Sequence, residues 1–596
     1  MAPLLPEASL PPGFQASIWA SGLSGPRGLA LTPNGDVLCV ERSGTARVTV
    51  LWDADGDGVS DPSERQTLAT APGLNHGVAI GGGYLFASSD TTVYRWPYTA
   101  AARADLGPYT ELINGISADG NGGAPRGHTT RTLKVDTSVA GGRLFVSVGS
   151  NRNIDQDDFR SRIRYVDGVL GSQWSQPVDF SSASTWARGL RNEVGLTFDS
   201  SGVLWGVENG ADNLRRDDLG GDIHNDNPGE ELNRFPAPEN TPETPDDAPS
   251  YGYPFCWSEF SLPDGLGLGR RTQWVWPSFQ DTYSDEWCRD TDNVKPPALV
   301  MQAHTAPLGI TFFGADQGTG SPPACADGGG DNGRSDAFPC SMVGDAFVSL
   351  HGSWNRDVPV GYGVVRLPFA DGAPTGAIET LLAHEGPNAR WPSNLRPVDS
   401  IFLSDGTLLV TSDTSGEIIR ITYSPPPPPS PPPLPQLPPS PPLPPYCDLT
   451  DARADNEWCN SVERNEAECL ATHVTVFEGL FRKVHRCRPR NGGCFMSTTD
   501  EDTQWCPRPR NPVCDELDEM ADLRSAPSKE WCNWGQTASA RKASQAACEA
   551  HYVTTYSGQS LDGSIVAKRH KCVYQAEGRA CFMAQEAAFC EIQPAP

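Results

Sequence analysis

The sequence predicts an all-β protein: a six-bladed β-propeller, then a polyproline linker, then a small disulfide-rich C-terminal module. Three observations carry this. A turn ending in Gly, followed by an alternating apolar strand, recurs six times between residues 34 and 410. A tract of almost pure proline interrupts the chain at residues 425–445. Twelve of the 17 cysteines lie beyond that tract.

The six copies are Asn34-Gly35-Asp36-Val37-Leu38-Cys39-Val40, Gly83-Tyr84-Leu85-Phe86-Ala87, Gly142-Arg143-Leu144-Phe145-Val146, Gly202-Val203-Leu204-Trp205-Gly206, Gly344-Asp345-Ala346-Phe347-Val348 and Gly406-Thr407-Leu408-Leu409-Val410. Glycine allows the tight turn, and the alternation suits a half-buried sheet. Six radial copies with uneven spacing fit a propeller with long inserts, over residues 10–424. In the linker, residues 425–445, proline fixes φ and removes the N–H donor. That favours polyproline II, reaching about 65 Å at about 3.1 Å per residue. In the tail, residues 446–596, a six-cysteine unit occurs twice, from Cys447 to Cys506 and from Cys514 to Cys590. Trp458-Cys459 matches Trp531-Cys532, and Cys494-Phe495 matches Cys581-Phe582. Units this small need cross-links, but their spacing leaves the pairing open.

Composition agrees. With 60 Gly and 55 Pro in 596 residues, short strands and turns are favoured over long helices. A net charge of −28 opposes nucleic-acid wrapping and docking on anionic lipid, so an anionic ligand needs locally placed Arg or Lys. No apolar run reaches the length of a membrane span. The cysteines read as a disulfide framework and hence an extracellular or secreted protein, although Met1 to Phe14 show no secretory signal. Cys256 with Cys288 and Cys325 with Cys340 read as loop staples, and Cys39 as a buried free thiol.

Three segments carry chemistry: Gly127-His128-Thr129-Thr130-Arg131, Arg188-Gly189-Leu190-Arg191-Asn192, and Asn394-Leu395-Arg396-Pro397-Val398-Asp399. Each precedes a propeller strand on the same face, so they are expected to converge near the central channel. Singly, each residue has a structural default. Together, a His, two Arg and an Asn suit alcohol oxidation with an anionic quinone: the His takes the hydroxyl proton and the Arg forks hold carboxylates.

On these strings, together with Glu208-Asn209-Gly210-Ala211-Asp212, Ala306-Pro307-Leu308-Gly309 and Phe347 to Arg356, residues 10–423 resemble the soluble PQQ-dependent glucose, sorbosone and pyranose dehydrogenases. The resemblance implies His128 as general base, with Arg191, Asn192 and Arg396 as quinone contacts. It implies His351 nearest the position of a cofactor-facing Lys. It also implies the backbone carbonyls of Gly210 and Ala211 as ligands of a calcium beside the quinone, and His76 on the substrate side. Where glucose-oxidising relatives have an Asp behind the base this chain has Ser150, and the second of two late Arg positions reads Val398. These departures point to the sorbosone or pyranose branch.

Asp53, Asp55, Asp57, Val59, Asp61 and Glu64 occupy positions 1, 3, 5, 7, 9 and 12 of an EF-hand-type calcium loop, with Gly58 at position 6. A solvated acidic turn is the alternative. Trp354 and Trp391, on long inserts, are candidates to line a sugar site, with core packing the alternative for both. The acidic stretch Asp217 to Glu231 reads as a solvated loop.

The expected function is a PQQ- and calcium-dependent oxidation of a sugar, sugar aldehyde or polyol. With no haem motif in the sequence, electrons leave to an external acceptor. The alternatives are a catalytically inactive extracellular propeller that binds carbohydrate or matrix, and a calcium-dependent lactonase-like hydrolase. The tail is expected to reach cell-wall or matrix polysaccharide.

Overall fold

The computed structural model describes residues 4–424 except 117–126, 158, 173, 175, 237–240, 243, 245–246, 327–335 and 387; beyond 424 it describes the tail's strands and helix and residues beside them. The chain falls into two compact units, Met1–Pro429 and Ser430–Pro596. The proline tract lies outside the described residues.

The first unit contains six antiparallel sheets with four principal strands each. Blade 1 is Pro26–Leu31, Val37–Glu41, Arg47–Leu51 and Arg65–Thr70. Blade 2 is Val78–Gly81, Tyr84–Ser88, Val93–Pro97 and Thr110–Asn114. Blade 3 is Leu133–Asp136, Arg143–Val148, Arg162–Asp167 and Ser184–Arg188. Blade 4 is Glu193–Phe198, Leu204–Glu208, Glu230–Arg234 and Leu299–Met301. Blade 5 is Pro307–Phe312, Ala346–Leu350, Gly363–Leu367 and Glu379–His384. Blade 6 is Pro397–Phe402, Leu408–Ser412 and Glu417–Tyr423, and its outermost strand is Phe14–Ala20 from the start of the chain.

The first strands of the blades touch one another in sequence, and that of blade 6 touches that of blade 1. Apolar clusters fill the spaces between neighbours. One joins Val50 and Leu68 to Leu85 and Trp96; the ring closes where Val37 and Leu51 of blade 1 meet Trp19, Leu409 and Ile418 of blade 6. These blades form a six-bladed propeller, sealed by pairing the first long strand with the last.

All six recurrent units are the second strand of a blade, and each turn glycine sits in the hairpin before it. Gly35, Gly83, Gly142, Gly202, Gly344 and Gly406 have φ between +74° and +96°, where L side chains are strained. The strands differ from expectation in one respect. Val37–Glu41, Leu204–Glu208, Ala346–Leu350 and Leu408–Ser412 are buried at every position. A blade is covered on both faces by its neighbours, so neither face meets water.

The turn glycines cap one end of each first hairpin. The other end is open: there the chain enters a blade's first strand and leaves its second. Every residue of the site described below comes from these open ends or from inserts beside them.

Helix is scarce. In the propeller the one described α-helix is Asp285–Arg289, whose first turn is capped by the Ser284 side chain. It carries Cys288, bonded to Cys256; Cys325 pairs with Cys340, and Cys39 is a buried free thiol.

In the second unit the strand pattern occurs twice. Thr472–Glu478, Phe481–Arg490 and Gly493–Met496 pair in order, with Thr503–Cys506 on Phe481–Arg490 and Thr450–Asp451 parallel to the first. His551–Gln559, Ile565–Gln575, Ala580–Met583, Ala588–Ile592 and Ala521–Asp522 repeat that order. Cys459 bonds Cys487 and Cys469 bonds Cys494. Cys447, Cys514, Cys532 and Cys548 lie outside the described residues.

Candidate active site

A cavity of about 540 Å³ opens at the end of the channel where the blades' first hairpins are open. Its lining includes His128, Arg191, Asn192, Gly210, His351, Trp354 and Arg396. Four blades supply them: His128 precedes the first strand of blade 3, Arg191 and Asn192 that of blade 4, and Arg396 that of blade 6. His351 follows the second strand of blade 5.

His128 is positioned by glycine on both sides. Gly127 has φ +69°, and a Cβ there would lie 2.1 Å from the Asn151 carbonyl oxygen. A Cβ on Gly149 would lie 2.4 Å from Asn192 Oδ1 and 2.8 Å from His128 Cβ. The imidazole Nδ1 lies 2.9 Å from the Ser150 carbonyl and 3.1 Å from its Oγ. That hydroxyl donates to the Arg152 carbonyl at 2.8 Å, so Ser150 meets the ring with acceptors only. Nδ1 therefore carries the hydrogen and Nε2 keeps its lone pair. Nε2 has no partner among the described residues. Burial, then the Arg191 charge, pushes the group down to about 3, so the ring is neutral at physiological pH.

Arg191 is held by its own protein. Nε donates to the Asn153 carbonyl, Nη1 to the Asn209 carbonyl, and Nη2 to Asn153 Oδ1 and to Asp212 at 2.9 Å. Of five N–H groups one, on Nη1, remains. Asn192 is tied to Asn209 at 3.4 Å. Arg396 is freer: Nε and Nη2 donate to the His351 and Gly352 carbonyls at 2.9 and 3.0 Å, and Nη1 has no described partner. His351 Nε2 lies 3.0 Å from Asp413, which also holds Arg27 at 2.7 Å. Burial keeps His351 below its usual range despite that carboxylate. Burial opposes the charge on Asp413, but His351 and Arg27 hold it well below the carboxylate range.

Beneath the cavity, Val194, Leu308 and Val398 pack together as an apolar floor. Val398, where the sequence resemblance led to the expectation of a second Arg, is fully buried there.

The TrAA12-like family model matches residues 8–424. The chain belongs to the TrAA12-like family. A PQQ-dependent pyranose dehydrogenase of Coprinopsis cinerea is 30% identical over 437 residues, covering 69% of this chain and 54% of that protein. The TrAA12-like chain thus spans about half the length of that relative. A PQQ-dependent sugar dehydrogenase of Hypocrea jecorina is 29% identical over 426 residues, 69% of this chain and 88% of that one. Among solved structures, the calcium structure of a Trichoderma reesei family AA12 carbohydrate-active enzyme has a TM-score of 0.59 at 28% identity, covering 71% of this chain and 99% of that one. The holo form of the pyranose dehydrogenase PQQ domain from Coprinopsis cinerea has a TM-score of 0.56 at 28% identity, covering 70% and 97%.

Some residues of this TrAA12-like propeller sit apart from their expected places. His76 does not line the cavity. It is buried, with Nδ1 3.3 Å from Arg27 Nε, and lines a separate channel space of about 870 Å³. The reason is register: His76 stands only two residues before the blade 2 strand, whereas His128 stands five before its own, and the Arg27 guanidinium donates to its ring. Ala211 lines a small space behind the cavity, beside Glu208 and Glu231, while Gly210 faces both. Trp354 is 71% exposed at the cavity, whereas Trp391 is core, 3% exposed, with Nε1 bonded to the Tyr362 carbonyl.

The acidic stretch Asp217 to Glu231 is not wholly a solvated loop. Glu230 and Glu231 belong to the third strand of blade 4 and are buried. Glu230 lines the cavity, accepts from the Gly210 and Ala306 backbone N–H groups, and is pushed up to about 7 by burial. Asn153, Asp212, Glu230 and His304 also line the site and were missed. They come from long inserts or lack a recurring string; Asp212 could be suspected only from its place after the second strand of blade 4, and Glu230 from its place at the start of the third.

In the loop between the third and fourth strands of blade 1, ligand oxygens of Asp53, Asp55 and Asp57 lie within 4.8 Å of one another. Asp53 accepts from Gly56 and Gly58 N–H, and Val59 N–H donates to Asp57. Glu64 folds back to accept from Ala54 and Asp61 N–H.

Proposed function

We propose that this chain is a PQQ-dependent dehydrogenase of sugars or related polyols. The single observation that carries the reading is the convergence, in one polar cavity, of a neutral His with an open Nε2 and two Arg with N–H groups to spare. The residues fit an anionic quinone. About 540 Å³ is within the usual range of small-molecule sites. Arg396 Nη1 and the remaining Arg191 N–H have no acceptor among the described residues and are placed for carboxylates. Bound there, PQQ supplies a two-electron acceptor for hydride from the carbon being oxidised.

The protein's part is to bind, orient and move a proton. The substrate hydroxyl gives its proton to His128 Nε2 while the Ser150 carbonyl holds Nδ1–H. A carboxylate-bearing cofactor beside the ring offsets the Arg191 charge and raises its basicity when it is needed. Asn192 fills a polar contact beside Arg191. His351, backed by Asp413, presents its other nitrogen to the same space. The exposed Trp354 is suited to stack on a sugar ring at the mouth.

Two calcium sites belong to this reading: the carbonyls of Gly210 and Ala211 beside the cofactor, and the Asp53–Glu64 loop as a structural site. The hydrolase alternative needs open carboxylates, but Asp212 is committed to Arg191, and Glu230 to two backbone N–H groups. The paired cysteines support an oxidising compartment. No described helix is long and apolar enough to cross a membrane. An external molecule would take the electrons, and the tail would engage wall or matrix polysaccharide.

The deciding experiment is reconstitution. Apo-protein given PQQ and calcium should reduce a dye with at least one of a panel of pyranoses, sorbosone and polyols. A protein that binds no PQQ, or binds it without turnover on any of them, refutes the reading.

A further inference from the structure

Three of the chain's ten histidines, His128, His304 and His351, line one cavity. His304 has no part in the chemistry above. It is 7% exposed and lies three residues before the first strand of blade 5. Its backbone is left-handed, at φ +62°, and Ala306 follows at +53°. Such positions are costly for residues other than Gly and gather where function requires them.

The ring lies between two acceptors. Nε2 is 2.6 Å from the His224 carbonyl, which can only accept, so Nε2 carries the hydrogen. Nδ1 then faces Asp212 Oδ1 at 3.6 Å. In the neutral ring this sets a lone pair against a carboxylate; with a proton on Nδ1 it becomes an ion pair. The other oxygen of Asp212 holds Arg191 at 2.9 Å. With His304 neutral, Arg191 and Asp212 cancel. With His304 protonated, the three groups carry one positive charge.

We propose that His304 is a positioning residue for anion binding: it braces Asp212 opposite Arg191, and entry of a carboxylate ligand is matched by uptake of one solvent proton at its Nδ1. This rests on the anionic-cofactor reading of the cavity. Burial disfavours the charged ring most strongly, and the His224 ring and Arg356 lower it further, while the His224 carbonyl and Asp212 raise it. Glu230 lines the same space. An anion added there supplies the charge that tips His304 to its protonated form. The His224 carbonyl is well placed to stay put. His224 Nδ1 is 2.6 Å from Asp222, and the neighbouring Asn225 and Asp226 are tied to Asp357 and Arg356 of blade 5.

The test is calorimetric titration of the apo-protein with PQQ, in the presence of calcium, at pH 6.5–7.5 in buffers of different ionisation enthalpy. The wild type should take up about one proton more per PQQ than His304→Gln, and its affinity should fall more steeply with pH, by up to about tenfold per unit. His304→Asn, which also keeps an N–H for the His224 carbonyl, serves if the Gln variant does not fold. Equal proton counts and equal pH slopes in wild type and variant would overturn the proposal. If the wild type binds no PQQ, the failure lies instead with the cofactor reading beneath it.

Discussion

His128, proposed above as the general base, shows how much a side chain's chemistry depends on its neighbours. Two acceptors on Ser150 choose its tautomer, and Arg191 and burial keep it uncharged. His128→Ala should therefore bind PQQ as the wild type does and lose turnover by a factor of about 10² to 10⁴, as measured by steady-state dye reduction. Unchanged turnover would remove His128 from the chemistry. Ser150 offers a second test. A carboxylate at that position would stabilise the imidazolium, raising its pKa by about 1–3 units. In Ser150→Asp the acid limb of the kcat/KM profile should move to higher pH, because the base is then protonated over a wider acid range. A profile identical to the wild type would mean that the limb belongs to another group. The presence of a Gly-His string before a blade was legible from the chain alone. That Nδ1 meets a carbonyl, leaving Nε2 open, was not, because Ser150 reaches the ring only across the gap between the first two strands of blade 3.

Elements place these residues, and two of them carry their own energetics. In blade 4, Glu193, Glu208 and Glu231 are buried around the Asn233 amide, whose nitrogen is 3.1, 3.4 and 3.3 Å from their oxygens. Burial pushes Glu231 up to about 7. A raised carboxyl contributes stability that is complete below its unfolded value of about 4.3 and is lost as pH rises through the folded value. The melting temperature should thus fall between pH 5 and pH 8, and fall less in Glu231→Gln; parallel curves would show that Glu231 is not the group titrating. The acidic loop of blade 1 makes the opposite demand. Three carboxylates gathered within 4.8 Å repel one another unless a cation joins them. If calcium binds there, chelator should lower the melting temperature by mass action, and Asp57→Ala should lose most of that sensitivity. A variant as sensitive as the wild type would place the stabilising metal elsewhere. The sequence specified this loop through its ligand spacing alone, since all its oxygens lie within twelve residues. The buried carboxylates gave no such warning, for they gather from three strands and looked like ordinary charged positions.

At the scale of the molecule, the propeller is closed by pairing Phe14–Ala20 with Glu417–Tyr423, so the residues lining the candidate site all lie within one ring, and the tail follows it in the chain. A chain ending near Tyr423 should keep full turnover on a small soluble sugar, measured against the whole protein; a loss of turnover would show that the tail takes part in catalysis. What the sequence determined by itself was local and repetitive: six Gly-turn strands, hence six blades, and the three strings whose His, Arg and Asn point to one end of the channel. Tight turns and strand alternation depend on neighbours in the chain, and so they survive as pattern. What only the tertiary structure decided was everything that depends on distant segments meeting. Both faces of the second strands are buried because other blades cover them. His76 turns to Arg27 instead of the cavity, and Asp212 from an insert, Glu230 from a strand of blade 4 and His304 from the link to blade 5 join the site. Hydrogen bonds, burial and charge act across a few ångströms of space, and in a ring closed by its first and last strands those ångströms separate residues hundreds of positions apart.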